Sequence, residues 1–225
     1  MVPSNTNDSP PNKSNGSITA KNGIRAEKQI CVQPNIKLAL ETYFGKTIKE
    51  LKCVIRKKYD IVVTFGDDST ATLQNKDGGG GRGWSVDRRS VSKYIDEQFN
   101  ILLKTVCLKT GTEKPTIPKI IVTDTVVKCL LGDTGDERPQ YFTHTVSDKL
   151  TREIISIGIC ETSSLFMFVS DGLYEDAVPK KTCVHLSPNI YLQRKGGGKT
   201  DSRPNDIQMK FKLTDGLEQI FCSLL

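Results

Sequence analysis

Aromatic residues and histidines are scarce in this sequence. Of its 225 residues, 7% are Phe, Trp or Tyr, with one tryptophan and two histidines, His144 and His185. Hydrophobic residues as a whole make up 36%, which is enough for one core of modest size. We therefore expect one folded domain, and neither a disordered chain nor two independent domains.

The sequence also lacks long apolar runs and closely spaced cysteines. No apolar run approaches the length that crosses a bilayer, and the amino-terminal segment is polar, so we expect no transmembrane helix and no signal peptide. The seven cysteines are scattered, odd in number and never spaced Cys-x-x-Cys. This pattern argues against a disulfide framework and a zinc site, and it predicts a cytoplasmic protein with reduced thiols.

Basic residues outnumber acidic ones. Lys and Arg total 32 against 26 Asp and Glu, which gives a formal net charge of +6 at pH 7. An excess of positive charge favours a polyanionic partner such as nucleic acid. It does not identify that partner, because many basic proteins bind no polyanion.

The amino-terminal part of the chain is predicted to contain a tail and two helices. Residues 1–16 are mainly Asn, Ser and Pro and are predicted to be a disordered tail, followed by a single domain over residues 17–225. Residues 18–30 are predicted to form a first helix, and residues 35–52 a second one after Pro34. The second has apolar residues at helical spacing: Ile36, Leu40, Phe44 and Ile48.

Two β-branched segments then predict a hairpin. Residues 53–65 and residues 69–76 have strand character, and the turn signal Gly66-Asp67-Asp68 lies between them. Residues 85–106 are predicted to be a helix packed on this sheet. The apolar stripe of that helix contains Val91, Ile95, Phe99 and Leu102.

The remaining segments give weaker signals until the end of the chain. Residues 120–131 are compatible with a strand or a helix, residues 146–159 favour a helix capped by Ser147 or Asp148, and residues 163–171 favour a buried strand. Residues 189–195 and 206–213 alternate as strands and flank a basic, polar loop.

Three polar side chains are predicted to converge on the hairpin. Asp60 lies on its first strand, while Gln74 and Lys76 lie two residues apart on the second and project to one face. Hydrolysis of a phosphodiester needs a hard cation, oxygen ligands for it, and a positive group beside the attacking hydroxide. The candidate Mg²⁺ ligands are Asp60, the Gln74 side-chain carbonyl and the Asn75 backbone carbonyl, and Lys76 would stabilise the nucleophile. The alternative is a solvated polar strand face.

The pattern Tyr59-Asp60 followed by Gln74-Asn75-Lys76 resembles the PD-(D/E)XK nuclease signature. Two departures are the missing proline before Asp60 and Gln74 in place of the usual acid. The chain is also similar to type II restriction endonucleases of the HinP type, which cut GCGC and use Gln at this position. The similar segments, which fall within residues 17–221 and agree least between residues 109 and 140, are ITAKNGIRAEKQI, LQNK, GRGW and LSPNIYLQRKGG.

This resemblance implies an α/β fold of the restriction-endonuclease type, with a central mixed sheet flanked by helices. It implies Mg²⁺-dependent cleavage of double-stranded DNA at a short palindromic site, with GCGC as the candidate, leaving 5′-phosphate and 3′-hydroxyl ends. Glu27 matches a glutamate of the family and would supply the negative charge that Gln74 lacks, the alternative being a solvated acid beside Lys28. A partner DNA methyltransferase is also implied, and both a homodimer and a monomer remain open.

Two basic segments with glycines are the candidate DNA-binding elements. The four glycines at residues 78–81 would let a DNA backbone approach Lys76 closely; a flexible linker is the alternative. Near the carboxyl end, side chains that suit the base edges of a site rich in G and C follow a strand, where a polar strand end is the alternative. The expected contacts are Arg82, Arg88 and Arg89 with phosphates, Trp84 with a sugar or base, Gln193, Arg194 and Lys195 with bases, and Lys199 and Arg203 with phosphates.

The sequence also has features of two other classes of protein, an NTPase and a non-catalytic DNA-binding module. The segment Gly196–Thr200 is similar to the end of a P-loop, but Gln193 stands at the first glycine position, and Pro204 and a predicted strand follow. These departures argue against an NTPase. A basic, non-catalytic DNA-binding module remains the alternative, and it predicts DNA binding without strand scission in Mg²⁺.

Overall fold

The computed structural model describes residues 15–55, 58–78, 83–85, 96–109, 111–132, 138–194, 207–212 and 215–225. In chain order the strands are β1 (Ile48–Cys53), β2 (Ile61–Phe65), β3 (Thr70–Asp77), β4 (Gly83–Ser85), β5 (Tyr141–Ser147), β6 (Ile154–Glu161), β7 (Val178–Lys180), β8 (Cys183–His185), β9 (Ile190–Arg194), β10 (Ile207–Lys212) and β11 (Cys222–Ser223). The helices are α1 (Asn15–Val32), α2 (Pro34–Phe44), α3 (Glu97–Leu103), α4 (Lys119–Leu131), α5 (Thr162–Asp171) and α6 (Asp215–Glu218), and a π-helical turn (Lys104–Leu108) continues α3.

Two sheets organise the described residues. The central sheet has six strands in the order β1-β2-β3-β5-β6-β11, in which β3 and β5 pair in parallel and the other neighbours pair antiparallel. The second sheet has five antiparallel strands in the order β4-β10-β9-β8-β7. The predicted α/β fold class, a central mixed sheet flanked by helices, is confirmed.

An apolar core covers each face of the central sheet. On one face, α1 and α2 pack on the sheet through Ala26, Ile30 and Leu40, against residues such as Leu73 and Ile157. Because side chains alternate along a strand, the neighbours of these strand residues point to the other face. On that face Phe142 of β5 and Cys160 of β6 belong to a second core, shared with α3, α4, α5 and the second sheet. Its residues include Phe99, Val126, Leu165, Leu192 and Phe211.

The first two predicted helices and the hairpin are confirmed, with different boundaries. Helix α1 begins at Asn15, so the last two residues of the predicted tail are helical, and residues 1–14 lie outside the described ranges. Helix α2 ends at Phe44 because Gly45 takes a left-handed conformation, with φ +62°. The extension of that helix through Ile48 was wrong, since Ile48 begins β1.

Two predictions between residues 146 and 171 were wrong. Residues 146–159 form the end of β5, a turn and most of β6, because Asp148 accepts hydrogen bonds from the backbone of Leu150 and Thr151 and closes a turn instead of capping a helix. Residues 163–171 belong to α5, whose buried residues Leu165 and Val169 are four apart. Residues 120–131, whose sequence is compatible with a strand or a helix, belong to helix α4.

The other predicted elements agree in part. The helix predicted over residues 85–106 is present as α3 and the π-helical turn, but Ser85 lies in β4 and residues 86–95 lie outside the described ranges. Strands β9 and β10 are present and antiparallel as predicted. Within the described ranges, no helix combines the length and the apolar character that crossing a membrane requires.

Candidate active site

Asp60, Gln74 and Lys76 lie together at one end of the β2–β3 hairpin. Asp60 immediately precedes β2, and its backbone N–H donates to the carbonyl of Leu73 on β3 at 2.8 Å. Its carboxylate oxygen Oδ2 accepts a hydrogen bond from the backbone N–H of Asn75, also at 2.8 Å. Asn75 separates Gln74 from Lys76 along the strand, so the Asp60 carboxylate is fixed beside both residues.

The Asn75 side chain anchors this part of β3 to the neighbouring strand. It is 5% exposed, and its Oδ1 accepts hydrogen bonds from the hydroxyls of Thr143 and Thr145 on β5, at 3.0 and 3.3 Å. Both threonines are fully buried. The sequence interpretation assigned Asn75 only a backbone carbonyl ligand, so this anchoring amide was missed. The contact depends on the pairing of β3 with β5, for which the sequence carried no signal.

We expect Thr143→Val to lower the free energy of unfolding by about 1–3 kcal/mol, because the buried Asn75 oxygen loses its shorter hydrogen bond. Thr125→Val is the matched control. Thr125 is 1% exposed, and its hydroxyl has no hydrogen-bond partner among the described residues, so its removal should be neutral or stabilising. Urea unfolding of both variants measures the difference, and equal losses would contradict the anchoring role of Asn75.

Gln74 presents a buried side-chain oxygen with no hydrogen-bond partner in the described part of the chain. The residue is 8% exposed, and its Oε1 has no hydrogen bond from the residues that the structure describes. Burial of a carbonyl without a partner costs free energy, so such an atom indicates a ligand or a water. Gln74 is in register with Phe142 of β5, which places it on the sheet face that carries the second core.

Glu27 is electrostatically coupled to the same group of residues. Burial and the neighbouring carboxylate of Asp60 raise the pKa of Glu27 to about 7, while the positive charge of Lys76 opposes the increase. The pKa of Asp60 is also raised by burial, against the lowering effects of Lys76, the Asn75 N–H bond and Lys58. Helix α1 therefore brings a second carboxylate within electrostatic range of Asp60, where the two repel each other.

The burial of Glu27 and its repulsion by Asp60 make the stability of the protein depend on pH when divalent cations are absent. The pKa of Glu27 rises from 4.5 to about 7 on folding, so the native state binds more protons in this window. The contribution of the protonated Glu27 to the free energy of unfolding is fully present below about pH 4.5, and it is lost as the pH rises through about 7. We expect Glu27→Gln to stabilise the protein at pH 8 by about 1–2 kcal/mol, after allowance for partial exposure, and to change little at pH 5. Urea unfolding in EDTA at both pH values measures this, and an equal effect at both would contradict the coupling.

Lys58 is a further charged residue near Asp60 that the sequence interpretation missed. Its ammonium donates to the carbonyl of Cys129, in the last turn of α4, at 3.2 Å. Its charge lowers the pKa of Asp60. The signal was present in the sequence, because Lys57 and Lys58 directly precede Tyr59 and Asp60. Lys58 thus links the candidate site to the carboxyl end of a core helix.

Trp84 does not have the exposure that the sequence interpretation expected. It is 2% exposed and packs in the core against Phe142, Phe211 and Phe221, with ring centroids 5.5–6.2 Å apart. A side chain buried in this way cannot stack on a sugar or base. The predicted contact of Trp84 with DNA was therefore wrong. The indole ring is buried because β4 pairs with β10, and Trp84 belongs to the second core.

The other predicted DNA-binding residues are only partly described. Gln193 lies half-buried on β9 opposite Gln208 of β10, and the backbone of Arg194 ends β9. Gly78, the first of the four glycines, donates its N–H to the carbonyl of Thr145 at 2.8 Å. The predicted positions outside the described ranges are Gly79–Gly81, Arg82, Arg88, Arg89, Lys195, Lys199 and Arg203, together with the P-loop-like segment Gly196–Thr200.

The fold of the chain is similar to that of a solved structure. No protein-family model matches the chain, and no curated protein matches its sequence. The crystal structure of the restriction endonuclease MspI in complex with its cognate DNA matches with a TM-score of 0.42 and 12% identity, over 88% of this chain and 80% of that chain. At this level the similarity carries no argument about activity. The described residues provide the functional evidence. Asp60, Gln74 and Lys76 lie at one end of a hairpin, and Glu27 of α1 is coupled electrostatically to Asp60 and Lys76.

Proposed function

We propose that this protein is a type II restriction endonuclease that cleaves double-stranded DNA at a short palindromic site and leaves 5′-phosphate ends. The observation that supports the proposal is the hydrogen bond that holds the Asp60 carboxylate on β3 between Gln74 and Lys76, with Glu27 coupled electrostatically to Asp60 and Lys76. Asp60 and Glu27 are two carboxylates that repel each other, and a hard cation would stabilise them. The same hairpin end carries Gln74, whose buried Oε1 has no hydrogen-bond partner among the described residues and would be a further oxygen ligand.

These residues fit a magnesium ion as cofactor. Asp60 and the Oε1 atom of Gln74 would be its ligands, with the Asn75 backbone carbonyl as a further candidate. Glu27 would supply the second negative charge. When bound, Mg²⁺ polarises the scissile phosphate and lowers the pKa of bound water. A cation here would also lower the pKa of Glu27, which burial and the carboxylate of Asp60 raise, because its positive charge would offset the repulsion from Asp60.

The chain's own residues would prepare the site for hydrolysis. Lys76 would hold the attacking hydroxide by a charge-assisted hydrogen bond and offset the negative charge that develops on the phosphate. Burial raises the pKa of Asp60, and the charge of Lys76, the Asn75 N–H bond and the charge of Lys58 would oppose this effect and favour the ionised carboxylate. The buried contacts of Asn75 with β5 would hold β3, and therefore Gln74 and Lys76, in a fixed position.

The proposed recognition of DNA depends on the two basic segments. Residues 78–82, which follow Lys76 closely in the sequence, would contact the phosphate backbone together with Arg88 and Arg89. The β9–β10 connection would read the bases through Gln193, Arg194 and Lys195, with Lys199 and Arg203 on phosphates. The preference of Arg and Lys for guanine favours a site rich in G and C, with GCGC as the candidate. A partner DNA methyltransferase, and action as a homodimer or as a monomer, are further parts of this proposal.

Digestion of a sequenced plasmid with the purified protein tests the proposal. In Mg²⁺ we expect discrete fragments whose ends map to one short sequence, and in EDTA we expect intact plasmid. End-labelling of the fragments measures the cut position and the 5′-phosphate. Random nicking would point to a nuclease without site specificity. DNA binding without scission would instead support the alternative function, a basic non-catalytic DNA-binding module.

A further inference from the structure

Two cysteines that are far apart in the sequence meet beside the candidate active site. Cys31 lies in the last turn of α1 and Cys53 is the last residue of β1, and their sulfur atoms are 2.9 Å apart in a hydrogen bond. Both side chains are half-buried, and both thiols are free. Solvent therefore reaches a pair of thiols that already touch.

The fold holds this pair in place from both sides. Ala26 and Ile30 fix α1 in the first core, and Ile48 at the other end of β1 belongs to the same core. Cys53 is in register with Ile61 of β2, so it is the paired end of an edge strand. The two thiols thus face each other because the helix and the strand pack together, and no rearrangement of the fold is needed to bring them into contact.

We infer that Cys31 and Cys53 are a disulfide-forming pair, which a small-molecule disulfide such as oxidised glutathione closes reversibly. Bond formation needs the sulfur atoms to approach by about 0.9 Å, from 2.9 Å to the ~2.05 Å of a disulfide. Side chains of folded proteins undergo displacements of this size thermally, roughly 0.9 Å in three dimensions even where atoms are well ordered. The bond would join α1 to β1 and close a loop of about 20 residues.

The exchange balances with oxidised glutathione as the only reagent. The Cys53 thiolate attacks one sulfur of the reagent, forms a mixed disulfide and releases one glutathione thiolate. The Cys31 thiolate then attacks the Cys53 sulfur, forms the internal bond and releases the second glutathione thiolate, and each released thiolate takes up one thiol proton. The two cysteines are oxidised and the reagent is reduced to two molecules of glutathione. Burial raises the pKa of the Cys31 thiol and so lowers its thiolate fraction, and the second step is favoured instead by the contact between the two sulfur atoms.

The position of the pair gives the bond a consequence for the site. Glu27 lies one helical turn before Cys31 on α1, and the charge of Glu27 contributes to the raised pKa of the Cys31 thiol. The bond would therefore fix the helix that carries Glu27 onto the sheet that carries Asp60. This consequence rests on the proposed function, whereas formation of the bond itself is measured without DNA.

Mass spectrometry of the full chain after treatment with oxidised glutathione tests the inference. We expect the intact protein to lose the mass of two hydrogen atoms, and a non-reduced digest to contain one crosslinked peptide that joins Cys31 to Cys53. The melting temperature should rise by about 5–10 °C, since a disulfide that closes a loop of this size limits the unfolded chain, and dithiothreitol should reverse the rise.

Two variants and a control make the test specific. Cys31→Ser and Cys53→Ser should each lose both the crosslink and the rise in melting temperature, while Cys222→Ser, which changes an exposed thiol, should keep both. A glutathione adduct on either cysteine without the internal crosslink, or no reaction, would overturn the inference. The digest of the unmodified chain decides this even if a variant fails to fold. If the crosslink forms but the reduced protein cuts no DNA in Mg²⁺, the proposed function alone is contradicted.

Discussion

Replacement of Lys76 by alanine is expected to lower the rate of DNA cleavage at saturating Mg²⁺ by about 10²–10³-fold. Lys76 is half-buried on β3, and its charge acts on both Glu27 and Asp60. A positive group in this position matters most when negative charge develops on the phosphate, so the loss should appear in kcat and not in the affinity for DNA. Single-turnover cleavage of a plasmid or a short duplex that contains the mapped site measures the rate.

Lys49→Ala is the matched control for this variant. Lys49 lies on β1, its side chain is 62% exposed, and it pairs with the exposed carboxylate of Asp68. The substitution removes the same charge and the same side-chain type from a position next to the hairpin turn, at the opposite end from Asp60 and Lys76. We therefore expect cleavage at the rate of the unmodified protein. Affinity for the duplex, measured in EDTA, should be similar in both variants. Full cleavage activity in Lys76→Ala would show that the lysine has no catalytic role.

Replacement of Asp60 by asparagine is expected to abolish Mg²⁺-dependent cleavage, with a loss on the order of 10³-fold or more, since charge stabilisation by a catalytic metal contributes several kcal/mol. Asparagine keeps the size of the side chain and an oxygen that accepts the Asn75 N–H bond. It removes the negative charge that holds the cation. The unmodified protein should also gain thermal stability on addition of Mg²⁺, and the variant should lose most of this gain.

The behaviour without metal separates this effect from a folding defect. Burial raises the pKa of Asp60 and Asp60 raises that of Glu27, so removal of the Asp60 charge should leave the melting temperature in EDTA unchanged or higher. Asp68→Asn is the control, because it makes the same chemical change at an exposed turn residue whose φ of +62° asparagine adopts readily. Mg²⁺-dependent cleavage that survives in Asp60→Asn would contradict the role proposed for this residue.

The elements predicted well are those with local signals. The β2–β3 hairpin follows from two β-branched segments around a Gly-Asp-Asp turn, and α2 from apolar spacing and Pro34. The placement of Gln74 and Lys76 on one face needs nothing more than the two-residue repeat of a strand. Such features depend on neighbours in sequence, so they are legible without a structure.

The elements that were predicted wrongly are those whose local sequence is compatible with two kinds of secondary structure. Asp148 suits a helix amino terminus as well as a turn, and the turn forms because residues on either side pair as β5 and β6 and bury Ile157 and Ile159. The apolar segment of α5 is compatible with a buried strand, yet it is helical because two of its residues on one helix face reach the second core. Tertiary contacts decided both cases.

The sequence by itself determined that Asp60, Gln74 and Lys76 share one end of a hairpin, because strand geometry acts over a few residues. Only the tertiary structure decided that Glu27 couples to them, that Asn75 is anchored by Thr143, and that Cys31 touches Cys53. It also buried Trp84, which the sequence interpretation had exposed to DNA. The physical reason is that burial, pKa shifts and contacts between distant residues depend on which elements pack together, and that packing is set by the whole chain.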